Sequence, residues 1–189
     1  MSFLIVAVLA GSIQASSPSL TEAAPELAAL PNTTLVGYPV GGRDPRAVRA
    51  AINSGRPSEG GRRFDGRTTW RYATRWRTNG AGRCDPASAE VTYTITITLP
   101  DLTDRSRLSA RDRAGWDRYF AALVRHEGNH ARIAIRGAEE MRAAMRATSD
   151  CDSLQAAARR VEAAIAEANL RYDEQTQHGR TEGAVYPRT

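Results

Sequence analysis

The stretch Val124-Arg125-His126-Glu127-Gly128-Asn129-His130-Ala131 carries the pattern His-Glu-x-x-His, the arrangement used by helical zinc-hydrolase sites. Residues four apart share one face of an α-helix, so His126 and His130 can reach a common ion while Glu127 projects beside it as a general base. A catalytic zinc site normally has a third protein ligand and one open position. The chain has three histidines in all, which leaves His178 as the only further imidazole. The competing reading is a solvated helix face with Glu127 paired to Arg125 or Arg132. The flanks argue against it. Trp116, Tyr119, Phe120 and Leu123, then Ile133, Ala134, Ala138, Met141 and Met145, recur at three- and four-residue steps and bracket the histidines on an inward stripe.

The elements that must position this motif can be read from periodicity. Ser109 and Asp112 mark the start of a helix running to about Ala147, with Gly128 and Gly137 as places for a bend, for substrate, or for a close packing contact. After a short polar turn, a second helix is expected from Leu154 to about Leu170, with Leu154, Ala158, Val161, Ile165 and Ala168 on one stripe. The turn is short enough to make the two an antiparallel pair. Strand patterns cover Thr33 to Val40, Thr68 to Thr78 and Glu90 to Leu99. In the second, Trp70, Tyr72, Thr74 and Trp76 share the inner face; the third is ended by Pro100. A short helix follows Asp44 from Pro45 to Asn53, and 54–66 and 79–87 read as loops. The expectation is an α+β fold in which a small antiparallel sheet packs on the long helix and its partner, with the Glu90 to Leu99 strand offering an edge to an extended substrate.

A chain of 189 residues without internal repeats suits a single domain, placed at 33–189. Segment 1–15 resembles a secretory signal peptide, its apolar run Phe3 to Ala10 far shorter than the ~20 residues needed to span a bilayer, with Ala15 as the candidate cleavage residue. Segment 16–32 reads as a flexible lead-in. The formal charge is +5 and all 26 basic residues are Arg, scattered without a basic run or RNA-binding signature, so nucleic acid is not expected as a partner. In an exported chain, Cys84 and Cys151 would pair.

Taken together, Tyr38-Pro39-Val40, Gly66-Arg67-Thr68-Thr69-Trp70, Thr98-Leu99-Pro100, His126-Glu127-x-x-His130 and Tyr172-Asp173-x-x-Thr176-x-His178-Gly179 resemble the DUF922 family over roughly Leu35 to Tyr186. That family is described as predicted secreted zinc-dependent proteases of the His-Glu-x-x-His type. The resemblance implies a zincin-like domain holding Zn²⁺ through His126 and His130, with Glu127 as base and the segment Tyr172 to Gly179 completing the site. His178 is the favoured third ligand. Asp173 is the alternative, as ligand or as the carboxylate that orients an imidazole, and Glu162 or Glu167 on the second helix is a further option. Tyr172 is either core or a hydroxyl that stabilises the oxyanion. The expected activity is peptide-bond hydrolysis outside the bacterial cytoplasm, secreted or periplasmic. The rivals are a non-catalytic zinc-stabilised binding module of the cell envelope and a cell-wall amide hydrolase.

Overall fold

A computed structural model describes residues 16–187, so the signal-peptide reading of 1–15 lies outside the described residues. The expected lead-in is folded. Pro18–Ala23 (α1) and Pro25–Ala28 (α2) are short helices, each started by a proline, and they send Leu20, Ala24 and Leu27 into the core with no more than 1% exposure. Periodicity was too brief in 16–32 to register, because two single turns cannot repeat a stripe.

Thr33–Val40 (β1) has the bounds the alternation implies, and Pro45–Gly55 (α3) is capped by Asp44, whose carboxylate accepts the Ala47 N–H. A two-residue hairpin follows, Ser58–Glu59 (β2) with Arg62–Arg63 (β3). Arg67–Thr78 (β4) and Cys84–Leu102 (β5) complete a sheet of order β1-β5-β4. This sheet is mixed, a correction to the antiparallel expectation. β4 pairs antiparallel with β5, but β1 runs parallel to β5 from Thr33↔Ile95 to Val40↔Leu102. The parallel pairing is possible because α3, the small hairpin and β4 all lie between the two strands, giving the crossover length that parallel neighbours need.

β5 also overruns the expected stops. Pro100 does not end it, because β4 stops pairing at Thr98 and the missing N–H falls where only β1 is alongside. At the other end the strand starts at Cys84, within the stretch read as a loop. β5 is therefore the central strand, flanked by β1 from Ile95 to Leu102 and by β4 from Cys84 to Thr98, and the outer edges of the sheet belong to β1 and β4. Along β5, Ala89, Val91, Ile95, Ile97 and Leu99 are buried while Thr92 and Thr94 are exposed, so one face of the sheet is covered.

What covers it is Ala110–Arg146 (α4), 37 residues and about 55 Å long. Ser109 caps it by accepting the Asp112 N–H, as its sequence implies. Arg142 and Arg146 donate to the carbonyls of Val91 and Ala89, and the Tyr72 hydroxyl donates to the Ala134 carbonyl, so helix and sheet are laced along their length. Cys151–Thr176 (α5) starts behind the Asp150 cap and extends six residues beyond the expected end near Leu170. Contacts pair His130 with Asn169 and Asn129 with Tyr172, while Gly137 packs on Ile165. Rising numbers on α4 thus meet falling numbers on α5, and the two helices are antiparallel. Gly128 and Gly137 are packing sites: a Cβ at Gly137 would collide with Ile165, and one at Gly128 would stand 2.8 Å from Leu27. Cys84 and Cys151 form a disulfide across 67 residues that ties the start of β5 to the start of α5.

Closing a loop of that length contributes about 4 kcal/mol in the chain-entropy account. The Cys84→Ser/Cys151→Ser double variant should lose up to this amount in denaturant unfolding. Leu27→Ala should lose about 2–5 kcal/mol, a drop that would be absent if α2 were a loose lead-in.

Candidate metal centre

Glu127 and both motif histidines are buried, at 4%, 3% and 7% exposure, so the motif faces inward and the solvated-face reading is excluded. α4 supplies His126 and His130 one turn apart. α5, lying antiparallel beside it, supplies Asn169 and Asp173, also one turn apart. The consequence is a three-atom cluster. His126 Nε2 and His130 Nε2 are 3.3 Å apart, and Asp173 Oδ1 is 3.2 Å from each. These donors could hold a metal ion.

The second nitrogen of each ring decides what the cluster presents. His130 Nδ1 lies 2.7 Å from Asn169 Oδ1, and the Asn169 amide nitrogen is committed to the Ile165 carbonyl, so Nδ1 must be the donor. His126 Nδ1 lies 2.9 Å from a Glu182 carboxylate oxygen, an acceptor that also receives the Tyr172 hydroxyl. With both protons held on Nδ1, both Nε2 lone pairs point at each other and at Asp173. Three acceptors meet at one point, an arrangement that calls for a cation or for shared protons.

Electrostatics follow from this crowding. Burial opposes protonation of both histidines, but hydrogen bonding to Asp173 and the charge of Glu127 outweigh it, and both pKa values rise above the ordinary 6.5. Burial pushes Asp173 up, yet its hydrogen bonds to His126 and His130 and the charge of His130 prevail and hold it well below the usual carboxylate range. Glu127 is raised, chiefly by burial, against the lowering pull of His130, His126 and Thr68.

Glu127 is positioned from β4. Its Oε2 accepts the Thr68 hydroxyl at 2.8 Å, and a Cβ on Gly66 would stand 2.6 Å from its other oxygen, so only glycine fits there. The segment before Gly66 is itself clamped. The Asp65 carboxylate receives Arg49, Arg56 and the Tyr119 hydroxyl, and its carbonyl receives the Tyr38 hydroxyl at 2.6 Å. Beside these groups opens a cleft of about 1000 Å³, lined by β4, the β3 hairpin strand, α5 and the tail.

The other residues singled out in the sequence take different places. His178, the favoured third ligand, is not among the converging atoms. Its Nδ1 is 3.3 Å from Asp173 Oδ1 and its Nε2 is 2.9 Å from the Arg62 guanidinium. Asp173 occupies the position expected of it. The reason is that α5 continues through Thr176, so the segment read as a tail beyond the helix is still helical at Asp173. His178 comes after Gln177, where the helix has ended in left-handed backbone. Gly179 (φ 79°) continues that turn and packs against the His126 ring. Glu162 and Glu167 face solvent. Tyr172 stacks on His126 with ring centroids 5.1 Å apart, and its hydroxyl is taken up by Glu182 and Asn129. It braces an imidazole instead of facing the cleft.

Asn169 and Glu182 are not among the residues the sequence singles out, and Gly66 and Thr68 appear there only within a family motif, without a role. For Asn169 a signal exists, since Ile165, Asn169 and Asp173 continue the α5 stripe at four-residue steps. For Glu182, and for the roles of Gly66 and Thr68, none does, because their contacts are purely tertiary.

A profile for a family of bacterial proteins of unknown function, DUF922, matches residues 36–179. The chain belongs to that family. No curated protein and no solved structure gave a match.

In metal-free protein the histidine pair should make stability depend on pH. Raised folded pKa values mean that its contribution is full below about 6.5 and is lost as pH rises through the folded values. Asp173 acts oppositely, its contribution being present above about 3.8 and lost as pH falls through its depressed value. Melting temperatures of chelator-treated protein should therefore fall on the alkaline side of neutrality, and His126→Ala/His130→Ala should flatten that slope.

Proposed function

We propose that the protein is a zinc-dependent peptidase of zincin-like architecture, acting outside the reducing cytosol. The single observation that carries this reading is the convergence of two imidazole lone pairs and one carboxylate oxygen at mutual distances of 3.2–3.3 Å. Ligands about 2.0–2.1 Å from a tetrahedral zinc lie about 3.3 Å from one another, so the triangle matches one face of such a site. Three protein ligands beside a cleft leave a fourth position for solvent, the hallmark of catalytic as opposed to closed structural sites. The disulfide fits an oxidising compartment, and no helix among the described residues is long and apolar enough to cross a membrane.

Zinc bound there supplies a water of lowered pKa and polarises the scissile carbonyl. The chain's own residues do the rest. Glu127, held by Thr68 with its pKa raised by burial, accepts the proton of the attacking water and returns it to the leaving amine. Asn169 and Glu182 keep the two Nε2 atoms turned to the centre, and Tyr172 keeps Glu182 in place. The free edge of β4, which lines the cleft from Gly66 to Arg71, can accept an extended peptide as an added strand. In this reading β4 takes over the edge role first given to the central strand.

Glu127→Gln should reduce peptide hydrolysis by at least about 100-fold, the scale of general acid–base catalysis, while zinc content stays near that of wild type. Asp173→Ala should lose zinc, whereas His178→Ala should keep most of it. Metal analysis after dialysis separates these, and retention by Asp173→Ala with loss by His178→Ala would reverse the ligand assignment. Assays on peptides beside peptidoglycan fragments distinguish a peptidase from a cell-wall amide hydrolase. No turnover of either would leave the zinc-stabilised binding module.

A further inference from the structure

The cleft beside the His–Asp cluster is lined by five arginines, Arg56, Arg62, Arg63, Arg67 and Arg71. The acids that share it are already engaged. Asp65 receives Arg49 and Arg56, Asp173 lies on the two imidazoles, and Glu127 is the buried partner of Thr68. Arg62, by contrast, meets the His178 ring and lies over Phe64 with 5.8 Å to the ring centroid, while Arg63 donates to the Ser54 carbonyl. Neither contact cancels the charge. Arg71 is exposed on the edge strand and reaches no carboxylate among the described residues.

Their placement has a pattern. Arg62 and Arg63 come from β3, and Arg71 comes from β4, whose outer edge is unpaired. On β4 the even-numbered Thr68, Trp70 and Tyr72 face the helices, so Arg71 projects on the opposite face with Thr69. A peptide added along this edge would alternate its side chains in the same way, placing every second one within cross-strand reach of that face. Carboxylates there would meet Arg62, Arg63 and Arg71 guanidinium groups that no carboxylate among the described residues pairs with.

We infer that this cleft selects extended peptides bearing Asp or Glu at alternate positions, with Arg71 on the strand edge and Arg62 and Arg63 on the hairpin as the selecting cations. This deepens the peptidase reading and rests on the same cleft, but binding can be read apart from turnover.

The test is fluorescence anisotropy with labelled extended peptides that differ only in Glu or Gln at alternate positions. It uses the full chain as Glu127→Gln, with chelator-treated wild type as a second, non-hydrolysing sample. Exposed ion pairs are worth a few-fold each, so the Glu peptide should bind about tenfold tighter at low salt. The preference should shrink as salt screens it and fall to about one in Arg62→Gln/Arg63→Gln/Arg71→Gln. Equal binding of the two peptides, no detectable binding of either, or a preference untouched by the triple variant would overturn the inference. So would displacement of the Glu peptide by polyphosphate or an oligonucleotide of equal charge at much lower concentration, which would point to a polyanion. Acid-selective binding without hydrolysis by wild type removes the peptidase reading alone, and hydrolysis without acid preference removes this inference alone.

Discussion

Two imidazole lone pairs and a carboxylate oxygen meet at one point inside this protein, and the rest of the fold can be understood as what holds them there. Unshielded acceptors at 3.2–3.3 Å repel one another, so they stay together only if each side chain is fixed from behind. Asn169 fixes His130, Glu182 with Tyr172 fixes His126, and the antiparallel packing of α4 against α5 fixes Asp173. Gly137 is part of that requirement. Ile165 lies where its side chain would be, so any larger residue would push the helices apart one to two turns from the cluster.

A second layer brings Glu127 into place. The Asp65 clamp gathers α3, α4 and the tail around the segment entering β4, and that segment delivers Gly66 and Thr68 against Glu127. The carboxylate is consequently shut away from water on one side and faces the cleft on the other. Burial raises its proton affinity. The same strand is an outer strand of the sheet, so the element that supports Glu127 also borders the cleft.

How much of this was readable in advance varied with the length of each pattern. β1, β4 and the caps Ser109 and Asp44 were plain because alternation and capping are local. α1 and α2 were missed because single turns have no period. Pro100 does not end β5 because a proline stops a strand only where a neighbour lies on the side its missing N–H would face, and neighbours are not written in the strand itself. The sequence pattern ends α5 too early because polar residues replace the apolar stripe after Ala168. In this protein the polar residues on that face, Asn169 and Asp173, lie against the two imidazoles.

The sequence by itself determined the local facts: which residues form the long helix, that His126 and His130 share a face with Glu127 beside them, and that two cysteines were available to pair. The tertiary structure alone decided that β1 runs parallel, that β4 is an outer strand instead of β5, and that Asp173, not the third imidazole, stands with the other two. The reason is physical. Spacing along a chain constrains what neighbours within a turn or a strand can do, whereas a cluster of three donors is set by how two helices pack, down to the size of one glycine.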